Sequence, residues 1–130
     1  MAMHKPQLQV REFHEATGSY RTNVPGIMPR KVAELRKELM AEEVWETILA
    51  IDEENLVKTI DGCLDTLVVT YGTLEAIGFD AEPGFDEVHR ANMSKVSPLV
   101  VRDDGKILKG PNYSPPNLEP IIERQKKNVY

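Results

Sequence analysis

The chain has 130 residues, 41% hydrophobic and 28% charged, which is an ordinary makeup for a globular domain with a single core. Sixteen basic against twenty-one acidic residues leave a formal charge of −5, which argues against a non-specific nucleic-acid binder or a protein drawn to anionic membranes. Cys63 is the one cysteine and suits a reducing cytoplasm; Met1 to Gln9 lacks a signal-peptide core, and no apolar run approaches the roughly 20 residues of a membrane span.

In chain order, Leu8 to Ala16 reads as a short amphipathic helix with Val10 and Phe13 apolar, ended by Thr17 and Gly18. Asn23, Pro25 and Gly26 break the pattern. From Pro29, a residue suited to a first helical turn, a long helix carries Val32, Leu35, Leu39, Glu42, Glu46 and Leu49 on an expected inward stripe. A second long helix runs from about Glu54 to Ile77, with Leu56, Ile60, Leu64, Leu67, Tyr71 and Leu74 on one stripe and Gly78 as its stop. The link around Asp52 and Glu53 is so short that the two helices should form an antiparallel hairpin. Phe79 to Gly84 reads as a loop and Phe85 to Lys95 as a further short helix. Beyond Pro98, Leu99–Arg102 and Lys106–Leu108 suit a small hairpin around Asp104 and Gly105, and Leu118 to Lys127 a last helical turn or two. The expectation is one all-α domain over residues 1–130, with a helical core at about 8–97 and an irregular C-terminal arm at about 98–130.

Carboxylates supply the chemical signal. Glu43 and Glu46 are neighbours on one helical face, as are Glu42 and Glu46, and on the next helix Asp61 and Asp65 stand four apart. Like charges at these spacings repel, and here they do so on two facing helices. Charge runs are commonly just solvated faces. Asp, however, is a poor helix-interior residue, and Asp61 and Asp65 sit among Ile60, Leu64 and Leu67. A bound divalent cation offsets such repulsion, and an all-oxygen set favours Mg2+ or Mn2+ over zinc. The cationic counterpart is Asn92 and Lys95, three apart on an expected helical face, followed by Lys106, Lys109 and Tyr113 on the arm. An amide can pair with a base or a phosphate, and an ammonium suits phosphate, although surface lysines beside a capping Asn would look the same. Metal-holding acids with phosphate-holding lysines describe a triphosphate site.

These residues resemble the all-α nucleotide pyrophosphohydrolases, a group that includes MazG-like enzymes, dimeric dUTPases and phosphoribosyl-ATP pyrophosphohydrolase. Glu43 and Glu46 match the first Glu-x-x-Glu pair, Glu42 the acid that often precedes it, and Asp65 the final Asp, with Leu67, Tyr71 and Gly72 continuing the helix. The pattern departs at Gly62, where an acid is usual; Asp61 stands in, as in a bacterial and phage subgroup reading Asp-Gly-x-x-Asp. That subgroup is also similar over Glu87–Lys95 and the Lys-Gly-Pro-Asn-Tyr-Ser-Pro-Pro arm, so the resemblance covers roughly residues 28–118. It implies a helical bundle completed as a homodimer or homotetramer, and cleavage of a nucleoside triphosphate between the α and β phosphates.

On this reading Glu43, Glu46, Asp65 and Asp61 are metal ligands, and Glu42 is a ligand or the base for the attacking water. Asn92, Lys95, Lys109 and Tyr113 are the substrate contacts. Two readings compete with a dNTP hydrolase: a phosphoribosyl-ATP pyrophosphohydrolase of histidine biosynthesis, and a non-catalytic acidic interaction module. A di-metal redox bundle would add Glu-x-x-His motifs, and neither His14 nor His89 has that spacing to an assigned Glu.

Overall fold

The computed structural model describes residues 4–127, and among them five helices with almost no strand: α1 Lys5–Thr17, α2 Arg30–Asp52, α3 Leu56–Ile77, α4 Ala81–Met93 and α5 Glu119–Lys127. The all-α expectation holds. The chain divides into two units. One comprises the residues up to Ala81, and the other runs from Glu82 onward.

The first unit is centred on α3, which packs against both α2 and α1. Helix α1 has a proline in its first turn and stops at Gly18, whose φ of 70° is left-handed and lets the chain turn back to bond His14. Pro29 is the N-cap of α2, one position before the helix proper. The link to α3 spans Glu53 to Asn55; Asn55 caps α3 by accepting from the Lys58 amide at 3.0 Å, and Gly78 ends α3 with φ 84°.

The inward faces of the hairpin differ from the expected stripes. On α2, Arg36 and Ala50 are buried and Met40, Glu43 and Thr47 are half-buried, whereas Leu35 and Leu49 are exposed. On α3 the buried residues are Gly62, Gly72, Glu75 and Ala76, while Leu56, Ile60, Leu64 and Leu67 are exposed. The two helices meet through small and hydroxyl residues. At Gly62 an added Cβ would lie 2.5 Å from Thr47 Oγ1 and 3.1 Å from Thr47 Cα, so only glycine allows this approach. Thr47 and Thr66 hydroxyls lie 3.4 Å apart, each also donating to the carbonyl one turn back, at Glu43 and Gly62. Small residues bring the backbones close, and the large apolar side chains therefore point elsewhere.

An ion cluster ties α1 to α3. Glu75, 1% exposed, accepts from Arg11 at 2.8 Å, Gln7 at 2.9 Å and Arg21 at 3.1 Å. Gln7, fully buried, also donates to the Phe79 carbonyl and accepts from the Ala81 amide.

Helix α4 begins at Ala81, inside the stretch expected as a loop over Phe79–Gly84, so that Pro83 and Gly84 lie in its first turn. First-turn amides have no helical acceptor, so proline there costs no hydrogen bond. The expected hairpin is a single antiparallel bridge, Val101 to Ile107, flanked by bonds from the Arg102 amide to the Lys106 carbonyl and from Leu108 to Val100. Gly105, at φ 91°, makes the turn. Helix α5 buries Ile121.

Candidate active site

The Thr47–Gly62 contact sets the site. It lies one turn beyond Glu43 on α2 and between Asp61 and Asp65 on α3, so this close contact lies beside all the acids identified from sequence. It also accounts for the departure at Gly62: that position is buried against Thr47 and has no room for a carboxylate. Glu43 and Asp65 are half-buried, while Glu42, Glu46 and Asp61 are exposed. Glu46 and Asp61 line one groove of about 340 Å³ together with Glu53 and Lys58, which pair at 3.8 Å. Glu53 and Lys58 escape a reading by motif because neither falls within the acid pattern.

Glu43 is the electrostatic centre of this set. Burial is the first influence raising its carboxyl above the usual range, and Asp65, Glu46, Glu42 and Asp61 follow in that order, all pushing the same way. Its Oε2 is buried without a hydrogen-bond partner among the described residues. Among the described residues no three acid, His or Cys side chains already converge as a finished metal cage. The donor set nevertheless fits a hard divalent cation: every donor is a carboxylate oxygen, one is orphaned, and the exposed Glu42, Glu46 and Asp61 have room to turn.

The cationic candidates lie in the second unit. Asn92 is in α4 and exposed. Lys95 does not share its helical face, because α4 ends at Met93 and Lys95 lies in the following turn, its amide bonding the Asn92 carbonyl at 3.0 Å. Gly110 packs tightly against the Pro98 carbonyl, and the Tyr113 amide bonds the Gly110 carbonyl. Lys95 and Lys109 both sit over the Tyr113 ring, at 5.6 and 5.2 Å from its centroid, so three of the four candidates form one cation–π cluster. Glu87 is held down to about 2 by the Arg90 side chain and then by the Asn117 amide. Arg90 also reaches the Pro115 carbonyl, which secures the arm.

A helical hairpin that concentrates negative charge on an unsatisfied oxygen is suited to holding divalent cations against polyphosphates. Over residues 10–92, more than half its length, the chain matches the phosphoribosyl-ATP pyrophosphohydrolase family, and it belongs to that family. The match takes in every carboxylate of the site and ends at Asn92, before Lys95, Lys109 and Tyr113. It makes the chain a pyrophosphohydrolase of the nucleotide kind, from a family that depends on divalent metal. No curated protein matches the chain.

Proposed function

We infer that the protein hydrolyses a nucleoside triphosphate, a dNTP, to the monophosphate and pyrophosphate, with Mg2+ or Mn2+, as a cytoplasmic control on nucleotide pools. The observation that carries this reading is Glu43, an orphaned carboxylate amid four others. Glu43, Glu46, Asp65 and Asp61 would hold the cation. When bound, it neutralises phosphate charge and acidifies a coordinated water. Glu42, exposed at the edge of the set, either joins the ligands or accepts the proton of the attacking water. Asn92, Lys95, Lys109 and Tyr113 are assigned to substrate on their chemistry: amide, ammonium and phenol groups suit base and phosphate oxygens. No helix among the described residues is long and apolar enough to cross a membrane.

Assembly as a homodimer or homotetramer is part of the proposal. Trp45, Ile48, Leu56, Ile60, Leu64 and Leu67 are all at least 40% exposed along one hairpin, more apolar surface than a monomer in water normally carries. Light scattering at micromolar concentration should find two or four copies, and a clean monomer would count against it.

The family description favours a second reading, phosphoribosyl-ATP hydrolysis in histidine biosynthesis. A pyrophosphate-release screen over canonical and modified dNTPs and phosphoribosyl-ATP, with Mg2+ and Mn2+, separates the two. Turnover of dNTPs supports the first reading, and turnover of phosphoribosyl-ATP alone the second. Release from none would leave an acidic interaction module.

A further inference from the structure

Seven residues before Glu43, on the same face of α2, Arg36 is 7% exposed, burial pulls its pKa down, and among the described residues no salt bridge reaches it. An unpaired buried charge is costly to maintain. Only part of its hydrogen-bonding capacity is used among the described residues: Nε donates to Thr73 Oγ1 at 3.3 Å and one terminal nitrogen to the Val69 carbonyl at 2.9 Å. The fold makes room for it. Gly72 faces the guanidinium and the His14 ring so closely that a Cβ would collide with both. The acid cluster makes no use of this arginine.

Arg36 lines a cavity of about 530 Å³ whose walls include Phe13, Leu35, Leu39 and Val68. His14, Ser19, Tyr20 and Lys31 add polar groups at its edge, but mostly apolar walls around a planar, donor-only group suit a flat, weakly solvated ring better than a fully hydrated phosphate. Arg36 and Glu43 are two helical turns apart, about 10 Å along the axis. A nucleotide spans a comparable distance from its α-phosphate to its base edge.

We propose that this cavity seats the nucleobase and that Arg36 selects 6-oxo purines through the adjacent O6 and N7 acceptors. This rests on the triphosphate-hydrolase reading above. With Nε and one terminal nitrogen engaged by Thr73 and Val69, the remaining terminal nitrogen keeps both N–H groups to offer to those adjacent acceptors. Adenine presents an amino group at the same place, donor against donor, and the arginine has no acceptor to offer it. Arg36 is thus a specificity-determining residue, distinct from the carboxylates that serve the phosphates.

The test compares kcat/KM for dGTP, dITP, 7-deaza-dGTP and dATP, together with metal-free calorimetric binding of dGMP and dAMP. Wild-type protein should favour dGTP and dITP over dATP by about tenfold or more, and lose part of that preference with 7-deaza-dGTP. Arg36→Met, checked for folding by thermal melts, should bring dGTP down to the level of dATP through KM while leaving dATP near its wild-type value, whereas Arg36→Lys, which keeps a donor for O6 and N7, should retain part of the preference. Should neither variant fold, the 7-deaza comparison on wild type decides. Equal use of dGTP and dATP, or a preference unchanged in folded variants, overturns the inference while the proposed function stands. Absence of all dNTP turnover overturns the proposed function instead, and a dGMP preference in the metal-free titration would still identify the cavity as a base site.

Discussion

Two glutamates in the first unit have withdrawn from water, into opposite surroundings. Around Glu75 burial is the largest single influence and pushes the carboxyl up, yet the bonds from Arg11, Gln7 and Arg21 together outweigh it and hold the group below its usual range. Around Glu43 burial and the four other carboxylates all push upward, and one oxygen has no partner. The protein satisfies Glu75 by itself, so Glu75 works as a structural tie between α1, the Arg21 segment and α3. Glu43 keeps one oxygen unsatisfied among the described residues, which points to a ligand.

Removing the solved charge should do the most damage. Glu75→Gln leaves Arg11 and Arg21 facing a neutral amide, and because both arginines are partly exposed we expect the lower end of the range for breaking a buried pair, about 3 kcal/mol of stability by denaturant unfolding. The equivalent change at the unsolved cluster should cost activity rather than stability. Glu46→Gln or Asp65→Asn should lower kcat by about a hundredfold or more, while the metal-free protein melts no lower than wild type because repulsion is relieved. Full Mg2+-dependent activity in both variants would remove these residues from the site.

Gly62→Ala tests how the second cluster is assembled. Its Cβ would press on Thr47 Oγ1 and Cα, prising α2 from α3, with an expected loss of about 2 kcal/mol and a weaker response to metal in thermal melts. A variant that melts and binds Mg2+ like wild type would show that the close contact is not needed.

The smallest effect is the pH profile, and it sets the two glutamates against each other. Glu75 has a folded pKa below its unfolded value, so its stabilisation is present above the ordinary carboxylate range, about 4.3, and is lost as pH falls through the folded value. Glu43 has a raised folded pKa, so its neutral form favours folding at low pH and that benefit disappears as pH rises through the folded value. These two groups together favour mild acid in the metal-free protein, while His14, whose burial lowers its pKa, opposes them below the usual histidine range. Glu75→Gln should flatten the acid side of the profile, Glu43→Gln the neutral side, and Mg2+ should raise the melting temperature at pH 7. A profile indifferent to both substitutions would contradict the comparison.

The helices themselves were legible residue by residue. Pro29, Gly18 and Gly78 mark ends because φ limits and missing donors act within a turn, and the short link after Asp52 left the two long helices no choice but a hairpin. The acid pairs were legible too, since spacings of three and four are properties of any helix. Pro83 reads as a loop residue in the sequence, but its penalty vanishes in a first turn, a matter of where α4 begins. The inward faces of α2 and α3 were not legible. Periodicity places Leu35, Leu49, Ile60 and Leu64 on stripes, but the contact between Thr47 and Gly62 turned those stripes outward. The place of the Arg36 guanidinium likewise depends on Gly72, thirty-six residues away. Local sterics and hydrogen bonds shape a helix from its own residues, whereas the face it buries depends on how closely the next helix can approach, and that distance is known only once both backbones are in place.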